Sequence, residues 1–312
     1  MEIKKINTEK LLNINGTHRP LSFVDFIGQE HIKNVLKTAI ESGQKRKSHV
    51  GHILFSGPSG FGKTTMANII AKQSNVGIKA VTGYAITKPA EIISILNSLE
   101  QGDILFIDEI HRLKPNIEEV LYIAMEDFVI DMVMPEGGNV RIPINPFTLI
   151  GATTKSESLS QPIKNRFVYN FHFMEYDSKE KQIIIEKYLR QYAVDFDPSI
   201  LSAIAAKVDA VPREIHNLCI KMRDFAITQT QHKRIDQACF DAFLLHSKIE
   251  EGGMTPLHAK YLEILRDADR PLGIRTIAVQ LGINEKAVEE DVEPLLLKLN
   301  KIEKTAAGRI II

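Results

Sequence analysis

The chain has 312 residues, with 39 Lys and Arg balanced by 39 Asp and Glu and only two cysteines. This length supports two or three domains with real cores, while the even charge confines any nucleic-acid contact to a local patch. Cys219 and Cys239 lack the spacing of a zinc site or disulfide framework, no signal-peptide core opens the chain, and no 18-residue apolar run occurs, so a cytoplasmic protein without membrane contact is expected.

Residues 1–18 are polar and Asn/Lys-rich and read as an N-terminal arm. Over 19–176 the apolar runs "HILFSG", "IKAVTG", "DILFID" and "FTLIGAT" alternate with helical segments such as "KTTMANIIAKQ" and "NIEEVLYIAMEDF". Continuous apolar strands between helices predict an α/β domain whose mostly parallel sheet is covered on both faces. Over 177–247, "SKEKQIIIEKYLRQYA", "PREIHNLCIKMRDFAITQ" and "DQACFDAFLLH" repeat apolar residues at three- and four-residue spacing, which predicts an α-helical bundle. A linker at 248–254 carries Gly252-Gly253, and 255–312 read as three helices and a hairpin turning at Ala307-Gly308, the winged-helix pattern.

Gly57 to Thr64 spell G-x-x-x-x-G-K-T between a strand and a helix. In such a loop, Gly60 and Gly62 let backbone N–H groups turn onto a phosphate at the helix N-terminus. Lys63 would reach the terminal phosphates and Thr64 would complete a Mg²⁺ shell. Forty-five residues after Lys63, "DILFIDEIHR" ends a strand in Asp108-Glu109. An Asp there holds the metal's water shell, and the adjacent Glu can deprotonate the attacking water. The pair predicts hydrolysis of ATP or GTP rather than binding alone. "FTLIGATT" brings Thr153 and Thr154 to a third strand end, "QPIKNRF" puts Arg166 on an exposed loop, and "VPREI" starts a helix with Arg213, a position whose dipole an anion would compensate.

These segments run in order with "RPLSFVDFIGQE", "EEVLYIAMEDF" and "EDVEPLLLK" over 19–309, and together they resemble the bacterial RuvB family of AAA+ motors. The resemblance implies an AAA+ P-loop domain at 19–176, a helical lid at 177–247 and a winged-helix DNA-binding domain at 255–312. It also implies ATP and Mg²⁺, a hexameric ring on the arms of a four-way DNA junction, and a RuvA-type junction-binding partner. By the same likeness Arg19 and Pro20 flank the adenine, Gly60, Lys63, Thr64 and Thr65 hold phosphate, and Glu126, Asp127 and Phe128 approach nucleotide in the ring. Arg166 falls on a finger donated to the next subunit, Tyr176 on the lid junction, and Arg213 on the lid arginine.

Between Phe128 and Phe147 the family carries its RuvA-docking hairpin. Here Ile130, Met132 and Met134, then Val140, Ile142 and Ile144, alternate onto one face around Gly137-Gly138. That face suits a partner, and equally a hairpin packed on its own domain.

Ser59 stands where the family has a second Pro, "IKN" precedes Arg166 in place of "LRD", and the wing reads "KTAAGR" in place of "RTPRGR". From 250 to 312 nine Lys and Arg face eleven Asp and Glu, so DNA contact is expected only through Lys304 and Arg309, on phosphates, without sequence preference. A different class remains open beside the branch-migration motor: a clamp-loader-like switch or protein remodeller whose winged domain binds protein.

Overall fold

The computed structural model describes residues 19–133, 139–208, 211–229 and 234–312. The arm at 1–18, Met134 and the Gly137-Gly138 turn lie outside the described residues. Helix α1 (Glu30–Arg46) leads to β1 (Ile53–Ser56), α2 (Lys63–Ser74), β2 (Ile78–Thr82), α3 (Pro89–Asn97), β3 (Ile104–Asp108) and α4 (Pro115–Asp127). The hairpin β4 (Val129–Val133) and β5 (Asn139–Pro143) follows, then β6 (Thr148–Thr153), α5 (Gln161–Lys164) and β7 (Tyr169–His172).

Five of these strands form a parallel sheet in the order β2-β3-β6-β1-β7. Every residue of β6 is buried, as a central strand with helices on both faces requires. On one face α3 and α4 pack Ile92, Leu96, Ile117 and Leu121 against Leu105, Ile107 and Leu149. Helix α2 buries Met66, Ile69 and Ile70 and lies against β3 and β6. Strand β7 escapes the sequence reading because "YNFH" is no apolar run: at the sheet edge only Phe171 is buried.

The hairpin corrects one expectation. Ile130 pairs with Ile142 and Met132 with Val140, as the alternation requires. Ile130, however, is 1% exposed within the domain's core and Ile144 packs on that core, so neither is available to a partner. Among the described residues of the hairpin, Val140 faces outward, at 44% exposure. Alternation fixes which residues share a face, and the base of this face closes over α4.

A division between Glu175 and Tyr176 separates a second unit. Helix α6 (Ser178–Gln191) starts at Asp177, which accepts from the Glu180 N–H while Glu180 accepts from the Asp177 N–H. Such reciprocal capping is worth about 1 kcal/mol. β8 (Asp195–Phe196), α7 (Leu201–Ala206), α8 (Pro212–Gln229), β9 (Arg234–Ile235) and α9 (Gln237–Ser247) follow, with Asp236 capping α9. Both cysteines are buried and free, and burial pushes the Cys219 thiol up to about 12, far from reactive.

The last segment holds α10 (Pro256–Arg266), α11 (Ile274–Leu281), α12 (Glu285–Ala287), a π-helical turn (Val288–Val292), α13 (Glu293–Lys298), β10 (Ile302–Thr305) and β11 (Gly308–Ile311). Its core joins Tyr261, Leu262, Ile277, Val288, Leu296 and Ile302. Thr305 pairs with Gly308, so the turn is Ala306-Ala307, one residue earlier than expected. Only glycine fits at 308: φ is 141°, and a Cβ would sit 2.5 Å from the Leu272 carbonyl oxygen. Leu272 bridges antiparallel to Arg309 and completes the wing. Among the described residues no helix is long and apolar enough to cross a membrane.

Candidate functional site

The sheet order decides where the motifs meet. Strand β6 lies between β3 and β1, so Asp108-Glu109 after β3, Thr154 after β6 and the phosphate loop after β1 share the carboxyl edge of three neighbouring strands. A cavity of about 450 Å³ lined by Gln44, Lys47, His49 and Ser74 also touches Ile104 and Thr148, which begin β3 and β6, and holds none of the motif residues.

At Gly57 φ is 127° and an added Cβ would lie 3.0 Å from the Phe173 carbonyl oxygen, so the loop leaves β1 pressed against the chain beyond β7. Gly62, left-handed at φ 97°, begins α2, and no side chain caps that end. The first turn thus offers its N–H groups and the helix dipole to an anion. Lys63 is 7% exposed, and its Nζ donates to the Gly57 and Pro58 carbonyl oxygens at 2.7 Å each. Gly60, Thr64 and Thr65 follow the same curve half-buried.

Across the edge, Asp108 Oδ1 accepts from the Glu109 N–H at 3.0 Å. Glu109 itself is left-handed, φ 49°, an uncommon conformation for a glutamate. Gly83 lies so close that an added Cβ would meet the Glu109 carbonyl oxygen at 2.4 Å. Glu109 Oε2 lies 3.2 Å from His111 Nδ1 and accepts from Thr154 Oγ1 at 3.3 Å. His111 Nδ1 is also 2.9 Å from Thr153 Oγ1, which accepts from the Lys155 N–H at 2.9 Å. Burial holds the His111 pKa below its ordinary value; Glu109 opposes this, Arg112 and Lys155 add to it, and Glu157 opposes it. No sequence motif assigns His111 a role. The signal was its place two residues after a candidate base.

Arg166 is no isolated surface arginine. Its Nε donates to the Tyr122 carbonyl oxygen at 3.0 Å, one Nη to the Pro162 carbonyl oxygen at 2.8 Å and the other to Glu126 Oε2, while its guanidinium lies 4.7 Å from the centre of the Tyr122 ring. Residues 40 apart in sequence, Glu126 and Arg166, thus form one cluster at the end of α4. Asp127 is exposed and lies 4.0 Å from Arg141, and Phe128 closes α4 edge-on to His49, ring centres 5.0 Å apart. Behind them His52 is buried, with Nε2 3.0 Å from the Met125 carbonyl oxygen and Nδ1 accepting from the Leu149 N–H at 2.8 Å, which ties α4 to β6. Arg19 and Pro20 begin the described chain, exposed and half-buried. Tyr176 and Arg213 belong to the second unit, Tyr176 buried and Arg213 exposed in the first turn of α8.

The family models decide the classification. Residues 18–173 match the P-loop domain of the Holliday junction DNA helicase RuvB, and 251–312 match the RuvB C-terminal winged helix domain. The chain belongs to the RuvB family. A RuvB subunit of the Holliday junction branch migration complex of Campylobacter curvus is 40% identical, covering 99% of this chain and 92% of that protein. Its counterpart in Latilactobacillus sakei is 37% identical over 96% and 90%. The solved Thermotoga maritima RuvB Holliday junction branch migration motor superposes with a TM-score of 0.80 at 35% identity, covering 94% and 95%. This RuvB-family chain is therefore a P-loop ATPase with an AAA+ sheet and a C-terminal winged helix.

The wing places its two expected DNA contacts unexpectedly. Arg309 Nε donates to Glu293 Oε1 at 2.8 Å, Lys304 Nζ lies 2.6 Å from Glu293 Oε2, and the Tyr261 hydroxyl donates to Oε1 at 2.9 Å. Glu293 is fully buried. Burial opposes its ionisation, but the hydrogen bonds from Arg309, Lys304 and Tyr261 outweigh it and hold the carboxyl below its ordinary pKa. Lys304 stays 38% exposed at its side chain, whereas Arg309 is 17% exposed and turned inward.

Proposed function

We propose that this chain is the ATP-driven motor subunit of Holliday-junction branch migration, working as a hexameric ring on junction arms beside a RuvA-type partner. The observation that carries the reading is the convergence of phosphate loop, Asp108-Glu109 and Thr154 on three adjacent strand ends. ATP is the substrate, its phosphates lying in the Gly57–Thr65 curve with Lys63 exchanging loop carbonyls for phosphate oxygens. Thr64 and Asp108 are hard oxygen donors suited to Mg²⁺, Thr64 directly and Asp108 through water. When bound, that ion neutralises charge developing on the phosphates. Glu109 accepts the proton of the attacking water, and Thr154 holds the carboxylate from the neighbouring strand.

Arg166 serves the next subunit's ATP, so turnover requires a neighbour. Glu126 and Tyr122 present it, while Arg19 and Pro20 lie on the adenine side of the nucleotide. On DNA, Lys304 is the wing's accessible cation and makes a phosphate contact multiplied by the ring. Val140 marks the outward part of the hairpin toward the partner.

The test is steady-state ATPase with and without a four-way junction across a salt series. Stimulation that fades with salt supports the reading. Turnover indifferent to DNA, even with a RuvA partner present, refutes it. Glu109→Gln is expected to bind ATP without turnover, and Arg166→Ala to recover activity when mixed with Lys63→Ala subunits.

A further inference from the structure

We propose that His111 is a positioning residue for Glu109: its Nδ1–H is shared between the Glu109 carboxylate and the Thr153 hydroxyl, locking the candidate base to strand β6. The inference rests on Glu109 being the base, as argued above. Two oxygens converge on one nitrogen, Glu109 Oε2 at 3.2 Å and Thr153 Oγ1 at 2.9 Å. A carboxylate oxygen facing a bare ring lone pair at that distance would be repelled, so the proton is on Nδ1 and points between the two acceptors. Thr153 cannot drift, because it is fully buried in the central strand and accepts the Lys155 N–H. The ring is held too, its side chain being 9% exposed.

The backbone alone does not settle where the carboxylate points. Glu109 sits in the left-handed region with its carbonyl close to Gly83, and its side chain is 32% exposed. A half-exposed glutamate samples several rotamers unless hydrogen bonds choose one. His111 and Thr154 both reach Oε2, which leaves Oε1 to meet a water. Because Thr153 ends β6 and Thr154 follows it directly, any shift of β6 moves both restraints on the base together. A positioned base contributes about 10²–10⁴-fold, so losing one of its two orienting bonds is expected to cost roughly tenfold or more in kcat.

His111→Asn and His111→Gln separate placement from polarity. The Asn amide nitrogen falls where Nδ1 was, and the Gln nitrogen where Nε2 was. His111→Asn is expected to stay within about threefold of the unsubstituted chain, while His111→Gln and His111→Ala fall about tenfold or more in kcat. The Kd for ATP, read with a fluorescent analogue, is expected to change less than about twofold in all three. Should His111→Ala fail to fold, the Asn and Gln pair still decides. Equal kcat for the Asn and Gln variants, or a loss carried entirely in ATP affinity, overturns the proposal. In a Glu109→Gln background, His111→Gln is expected to add no further loss. If Glu109→Gln itself turns over normally, the base assignment has failed. If it is inactive while His111→Gln is unimpaired, the positioning role alone has failed.

Discussion

The nucleotide edge of the first unit and the wing of the second both gather cations, yet those cations are bound to very different things. Lys63 holds two neutral carbonyl oxygens of its own loop, and Arg166 holds two carbonyls and the exposed Glu126. A phosphate can take the place of such partners, because a carbonyl or a solvated carboxylate is easily rehydrated. Lys304 and Arg309 instead neutralise the fully buried Glu293. Pulling Arg309 away would leave a buried charge uncompensated, a cost of about 3–5 kcal/mol. Arg309 is therefore no available cation, whereas the half-exposed Lys304 can turn to a phosphate because Arg309 and Tyr261 still hold Glu293.

The contrast can be broken experimentally at several points. Lys63→Ala is expected to lower ATP turnover about a thousandfold, roughly 4 kcal/mol, with the melting temperature little changed, as steady-state kinetics and calorimetry will read. Glu293→Ala is the mirror case. It is expected to destabilise the winged segment by about 3 kcal/mol, seen as faster hydrogen exchange over 255–312, and to leave nucleotide affinity unchanged.

Acidification should separate the two units. His52 is held down to about 4, first by burial, against the hydrogen bond to Met125, with His49 adding to the depression. Its folded pKa lies below the unfolded value of 6.5, so the unfolded chain binds the extra proton. Stability of the first unit is whole above pH 6.5 and falls by about 3 kcal/mol as pH drops to 4. Glu293, also depressed, stabilises above 4.5 and loses that contribution only as pH falls further through its folded pKa. Hydrogen exchange between pH 7.5 and 4.5 is expected to show the first unit loosening more than the second, where burial also depresses His216 and His258, and His52→Gln to flatten the first unit's dependence. Lys304→Ala should have the smallest effect, destabilising the winged segment less than Glu293→Ala because Arg309 and Tyr261 still hold Glu293, while reducing the salt slope of DNA binding by about one per subunit.

Much of the nucleotide edge was legible because its chemistry is written locally. A turning Gly57, an uncapped helix start at Gly62 and an acidic pair ending an apolar strand each need only neighbours in sequence. What escaped depended on distant partners. Nothing near Arg166 announces Glu126, nor does the alternation of the hairpin say that α4 will cover Ile130. Strand β7 was missed because an edge strand with a single buried residue has no apolar run to recognise. In "EEDVE" no local feature distinguishes Glu293 from Glu289, Glu290 and Asp291, since composition shows a negative run and not which member faces inward.

The π-helical turn at Val288–Val292 answers that last question. It places one surplus residue in the winged domain's third helix, a phase slip of roughly 100° for everything downstream. The slip lets Val288 and Val292 face the core and still carries Glu293 beneath the wing. Removing Glu290 would restore an unbroken α-helical phase and swing position 293 around the helix. The two wing cations would then have no carboxylate beneath them, so a single deletion, adding no basic residue, would turn a neutral wing into a positive one.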